Sequence, residues 1–276
     1  MSVVSLNWFY LVIIILYCLS VLGYFIDFIQ HNRKVNRIAF WLLSIVWIFQ
    51  TCFFVLRMLE FNRLPVLTSF EGMFFYAWVL VSLSLFINWF FPVDFLVFFT
   101  NVVGFVLMAL SVFTPTGDVP PELSQLLISE LLIIHVFMVI FGYAAFTLAF
   151  VFSVMYSLQH NMLKRKNWGK RLLRYGSLSK LDKMAFWTTL ISFPVFLLGI
   201  ILGLIWASIK LGELPWLDAK VISSLTVLAV YGAYLYQRVV KEARGYSMAM
   251  LNIVGFLLVL INYFLSSSFS KFHLWY

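Results

Sequence analysis

Eight runs of roughly 20 apolar residues constrain this 276-residue chain more than any other feature. A run of that length, coiled as a helix, crosses the ~30 Å hydrocarbon layer of a bilayer with its backbone polar groups bonded internally. The runs cover residues 6–26, 38–56, 70–91, 95–113, 127–158, 184–209, 221–236 and 248–269. Composition agrees: 63% of residues are apolar and 11% charged, against about 45–50% and about 25% in soluble domains. That excludes a soluble globule, a disordered tail and a collagen-like rod. A transmembrane barrel needs alternating segments of ~10 residues, and these runs do not alternate. The expected fold is therefore all-α: one polytopic integral-membrane domain over 1–276 with eight transmembrane helices. The polar loop 159–183 is the longest stretch outside them. The first run reads as a permanent span, since no Lys or Arg precedes it and no small-residue cleavage site follows. Cys18 and Cys52 lie far apart in apolar runs, outside any C-x-x-C pattern, and read as buried small hydrophobes.

Orientation follows from the cations. Of the 19 Lys and Arg residues, 14 fall in one set of loops. These are Arg33, Lys34 and Arg37; Lys164, Arg165, Lys166, Lys170, Arg171, Arg174, Lys180 and Lys183; and Arg238, Lys241 and Arg244. The positive-inside rule makes that set cytoplasmic, and eight spans then leave both termini outside. The net charge of +8 is what topology and anionic lipid require, so the expected surface partner is the bilayer and not nucleic acid.

Chemistry has few places to sit. No hydrolase, kinase or dinucleotide motif occurs, and no carboxylate pair has catalytic spacing, so no enzymatic activity and no catalytic residue is expected. The fifth run is long enough that His135 falls ~35 Å from its basic end, at the outer surface. Gly142, Ala149 and Ser153 lie within ~40° of His135 on a helical projection, so His135 shares the small-residue face that packs against neighbours. In the last span Gly255, Asn262, Ser266 and His273 align within ~20° if the helix continues to the C-terminus. Gly199, Gly203 and Trp206 stand at i, i+4, i+7 in the sixth span, which aims Trp206 inward at its outer end. Two outer histidines thus face inward, near an outer loop carrying Trp216, Asp218 and Lys220. Trp206 and Trp216 suit a flat ligand, and Arg57, Arg63, Lys220 and Lys271 suit its carboxylates. Imidazoles from opposed helices are axial ligands of haem iron. Interfacial histidines and a tryptophan belt are the other reading of the same residues.

Four stretches carry a family resemblance. They are 64–78, LPVLTSFEGMFFYAW; His135-Val with GYAAF at 142–146; Leu181-Asp182 with Phe193-Pro194 and GLIWA at 203–207; and GFLL at 255–258 with Tyr263-Phe and His273. In this order they resemble the cytochrome c assembly superfamily of haem-handling membrane proteins over about residues 57–276. The resemblance implies that His135 and His273 are the two external ligands of a b-type haem, held transiently. It also implies that Trp206, Trp216, Asp218, Lys220, Arg57 and Glu71 form the surrounding site. The family's tryptophan-rich motif is eroded: Asp218 and Lys220 match its Asp and the Lys two residues on, Trp216 is displaced by one place, and Leu217 stands where a Trp precedes the Asp. The family's intramembrane histidine pair has no match. These departures resemble the short members that Gram-positive bacteria encode with haem-biosynthesis genes. Such members are regarded as lowering the abundance of glutamyl-tRNA reductase, the first committed enzyme of tetrapyrrole synthesis.

That resemblance implies a non-enzymatic haem-binding protein of the bacterial cytoplasmic membrane that modulates haem synthesis. Its partners would be haem, lipid and glutamyl-tRNA reductase or another haem-biosynthesis protein at loop 159–183. The alternative is a haem transporter or cytochrome c assembly subunit delivering haem to the outer face. Arg57 and Glu60, at i and i+3, are expected to form an interfacial ion pair. Glu71 either orients an outer loop or lines the site. Pro194 is expected to kink the sixth span for packing. His31 and His160 are solvated loop histidines or an inner site.

Overall fold

A computed structural model describes residues 3–90, 95–114, 129–166, 174, 176–212, 214–265 and 269–270. Eight helices occur among the described residues and no strand: α1 (Val3–Gln30), α2 (Arg33–Phe61), α3 (Ser69–Phe90), α4 (Leu96–Ser111), α5 (Glu130–Lys164), α6 (Leu178–Leu211), α7 (Ala219–Val239) and α8 (Tyr246–Leu260). Seven are long and apolar enough to cross a membrane, so the all-helical membrane fold stands. The eighth, α4, is a shorter apolar helix of 16 residues, about 24 Å long at 1.5 Å per residue. The other helices generally outrun their apolar runs, because a helix carries on into the polar interface until a cap ends it. Asn32 caps α2 by accepting from the N–H groups of Lys34 and Val35, and Asn62 closes its other end in the left-handed region at φ 51°. The turn expected around Pro92 and Asp94 lies outside the described residues.

The chain divides into two compact units. The first holds residues 1–118 and 173–175, and so α1 to α4. In α1 the buried residues are Tyr10, Ile13, Tyr17, Ser20, Tyr24 and Asp27; in α2 they are Ala39, Leu43, Val46, Gln50, Phe53 and Arg57. Both sets alternate steps of three and four, which is the seam of two helices packed along their length. At Gly23 an added Cβ would lie 2.9 Å from the Cβ of Ala39, so the two backbones approach closely there. Deeper in, Tyr17 donates to Asn101 Oδ1 at 2.8 Å, and Asn101 Nδ2 donates to Ser84 Oγ at 2.9 Å. Cys52 is exposed on α2 and Cys18 half-buried, which corrects the expectation of two buried cysteines. In a bilayer an apolar side chain loses nothing by facing lipid.

The second unit holds residues 119–172 and 176–276, and so α5 to α8. Here α5 runs unbroken for 35 residues, about 52 Å. Its long neighbour α6 contains Pro194 without interruption. The two interlock through glycines: an added Cβ at Gly142 would lie 2.9 Å from Phe196 Cβ, and one at Gly199 would lie 2.8 Å from Val139 Cγ2. Bulk on one helix fills the notch on the other, which is how helices associate where lipid removes the hydrophobic drive. α8 packs against both α5 and α7. It ends in a π-helical turn over Ile261–Leu265. The wider turn departs from 100° per residue over these five positions. Ser266 and His273, the far end of the expected face, lie outside the described residues.

Candidate outer site

The second turn of α5 presents His135 to α6. Its Nδ1 lies 2.6 Å from the carbonyl oxygen of Gly199. A carbonyl only accepts, so Nδ1 carries the proton and donates. The imidazole lone pair is thereby placed on Nε2, the tautomer of a histidine metal ligand held by an outer partner. The absence of a side chain at Gly203 makes room for the ring: an added Cβ there would lie 2.5 Å from Cε1 and 2.7 Å from Nδ1 of His135. The expected inward aim of His135 therefore has a cause, a glycine notch on the facing helix. One turn beyond Gly203, Trp206 is 5% exposed, as its spacing from Gly199 and Gly203 requires.

The loop after α6 carries the eroded tryptophan motif. Trp216 is 55% exposed and Leu217 90%, so Trp216 is not packed beside Trp206 within the unit. Asp218 caps α7, its carboxylate accepting from Lys220 N at 2.8 Å and from Ser270 Oγ at 2.8 Å. Lys220 is buried; its Nζ donates to the carbonyl of Asn262 at 2.6 Å and lies 5.9 Å from the Tyr263 ring centre. His135, Trp206, Asp218 and Lys220 thus share one end of the second unit, the end the cation count puts outside. His273 and Lys271 lie outside the described residues.

Arg57 and Glu71 belong to the first unit, Arg57 near the C-terminal end of α2 and Glu71 near the N-terminal end of α3. Glu71 is fully enclosed and accepts from Arg57 Nε at 3.2 Å, Arg63 Nη1 at 2.9 Å and the N–H groups of Leu67 and Thr68. This corrects the expected Arg57–Glu60 pair: Glu60 is exposed, while the loop at 62–68 folds Glu71 back under both arginines. Glu71 therefore orients the outer loop. The Nη2 of Arg57 is buried with no hydrogen-bond partner among the described residues, and the guanidinium lies 4.8 Å and 4.9 Å from the rings of Phe61 and Phe70. A cluster of two guanidiniums and one carboxylate has surplus positive charge and one donor edge to give.

Two ion pairs escaped the sequence reading. Arg174 grips Asp27 with both nitrogens, at 3.0 and 2.7 Å, with Asn36 donating to the same carboxylate at 2.8 Å. Arg238 pairs with Asp182. The signal was an acid at the end of each apolar run, but no local spacing names a partner 147 residues away. His160 is not a loop residue. It lies on α5, its ring 5.0 Å from that of Tyr246 and stacked at 6.2 Å on Tyr156, in the second unit. His31, in the first, follows α1 at φ 59°, its Nδ1 3.2 Å from Ile29 O.

Residues 66–274 match the family described as Cytochrome C assembly protein. The chain belongs to the cytochrome c assembly family. Within that family it is 52% identical to Protein HemX of Bacillus subtilis over 94% of both chains, and 47% identical to Protein HemX of Brevibacillus brevis over 99% of both. The Cytochrome c biogenesis protein CcsA of Mesostigma viride is 25% identical over 75% of both chains. The cytochrome c assembly match covers His135, Trp206, Trp216, Asp218, Lys220, Glu71 and His273, and leaves Arg57 outside.

Proposed function

We propose that this chain is a non-enzymatic haem-binding protein of the bacterial cytoplasmic membrane that restrains haem synthesis by lowering glutamyl-tRNA reductase abundance. The observation that supports it most directly is the Nδ1–H of His135 donating to Gly199 O at 2.6 Å, in a chain of a haem-handling family. That bond puts the lone pair on Nε2, as a metal-ligating imidazole requires. The donor set of the second unit fits haem: a neutral imidazole, a buried tryptophan and a buried ammonium suited to a propionate. His135 and His273 would hold the iron, Trp206 and Trp216 the macrocycle, and Lys220 a carboxylate, with Asp218 capping the helix that carries Lys220. Bound haem would supply a redox-active iron and a visible chromophore. The chain's own residues orient the imidazole, exclude water with Trp206 and hold surplus positive charge. Resemblance to the HemX proteins, and a motif in which Leu217 replaces a tryptophan, favour restraint of synthesis over delivery of haem for cytochrome assembly.

The test is the visible spectrum of the purified full-length protein, oxidised and reduced. A low-spin bis-histidine spectrum is expected. His135→Ala and His273→Ala should each abolish it, since one remaining imidazole leaves the iron five-coordinate or open to water. Undiminished haem in the double variant would overturn the site.

A further inference from the structure

α8 leaves the α-helical path at Ile261 and closes with a π turn through Leu265. Such turns are rare and are found mostly at functional sites. Within this one stands Asn262, fully buried. Its Oδ1 accepts from the Tyr143 hydroxyl of α5 at 2.9 Å, and its Nδ2 donates to Ser224 Oγ of α7 at 2.9 Å. Its backbone carbonyl accepts from Lys220 Nζ at 2.6 Å. One residue of α8 therefore ties the helix that carries His135 to the helix that carries Lys220. Tyr143 lies eight residues from His135, about 12 Å along the helix axis, so the Tyr143 link lies about two turns from His135 while the Lys220 link reaches the candidate site itself.

We infer that Asn262 is a positioning residue of the outer site: it sets the height of His135 on α5 against Asp218 and Lys220 on α7. This rests on the haem reading above. A leucine of similar size would fill the space but strip Tyr143 and Ser224 of their partner and unfasten α5 from α7. Aspartate would keep both links, because Tyr143 still donates and the Ser224 hydroxyl turns to donate in place of accepting. Its added charge falls on the residue whose backbone carbonyl accepts from Lys220 Nζ.

The experiment has two readouts on the full-length protein in detergent. The first is the distance between nitroxide labels at Ile134 and Ile222, both largely exposed at the outer ends of α5 and α7, in a background with Cys18 and Cys52 changed to serine. The second is haem affinity by titration. Asn262→Leu should shift or broaden the label distance and weaken haem binding by about tenfold or more, the usual loss for an outer partner of a metal site. Tyr143→Phe, which removes one hydroxyl, should give the same change in smaller measure should the leucine variant fail to fold. Asn262→Asp should restore both. An unchanged label distance in Asn262→Leu overturns the inference whatever haem does. A shifted distance with unchanged haem affinity also overturns it, and makes Asn262 a packing residue. Wild-type protein that takes up no haem refutes the haem reading itself, and the label distances alone then decide whether Asn262 fixes α5 against α7.

Discussion

Gly203→Ala should displace the His135 ring. A Cβ at that position would sit 2.5 Å from Cε1 and 2.7 Å from Nδ1, where ordinary contact begins near 3.4 Å. The imidazole must therefore retreat by about 1 Å, which carries Nδ1 from 2.6 Å beyond hydrogen-bonding range of Gly199 O. Losing that bond costs about 1 kcal/mol, and overpacking the notch adds ~1–3 kcal/mol. At roughly 2–4 °C per kcal/mol for a chain of this size class, thermal unfolding of the detergent-solubilised protein should fall by several degrees. The haem spectrum, if present, should lose its low-spin character at the same time, because the lone pair on Nε2 no longer has a fixed direction. The control is His135→Ala combined with Gly203→Ala. The clash and the hydrogen bond are both absent there, so the two substitutions should be non-additive by ~1 kcal/mol or more. Strict additivity, or an unaltered melting temperature in Gly203→Ala alone, would show that the histidine does not depend on the notch.

Arg174→Gln should strand the Asp27 carboxylate, which is only 1% exposed, at a cost of about 3–5 kcal/mol; adding Asp27→Asn should recover much of the lost melting temperature. Glu71→Gln should leave Arg57 and Arg63 without their shared counter-charge, and is expected to raise proteolysis within residues 62–68 with little effect on a melting transition reported from the second unit. A reporter fused after Tyr276 should be active only in its outside form, as the positive-inside count requires; activity only in the cytoplasmic form would invert the topology. Replacing Lys164, Arg165, Lys166, Lys170 and Arg171 with glutamine should raise glutamyl-tRNA reductase in cells while leaving insertion correct. Unchanged reductase would reduce that loop to a topology signal.

Hydropathy alone defined the membrane class and the number of helices, because a bilayer imposes one requirement on every span: about 20 apolar residues with internal backbone bonding. It placed α4 within the run 95–113 but not its ends at Leu96 and Ser111, since a run of apolar residues does not say where the helix within it stops. Small-residue spacing on α5 and α6 was enough to turn His135 and Trp206 inward, because helix geometry is fixed by the local chain. It did not foresee the π turn that ends α8 over Ile261–Leu265. Pairings across the chain were invisible. Arg57 meets Glu71 through a folded-back loop rather than Glu60 one turn away, and Asp27 meets Arg174 across 147 positions.

Type of fold, the apolar surface for lipid and the candidate histidines were thus set by residue identity and helical periodicity, which act over one or two turns. The tautomer of His135, the notch at Gly203 and the knot at Asn262 belong to the tertiary structure. Each needs atoms from two or three helices brought within about 3 Å, the range over which a hydrogen bond or a steric clash acts, and no pattern along a single helix encodes which neighbour arrives there.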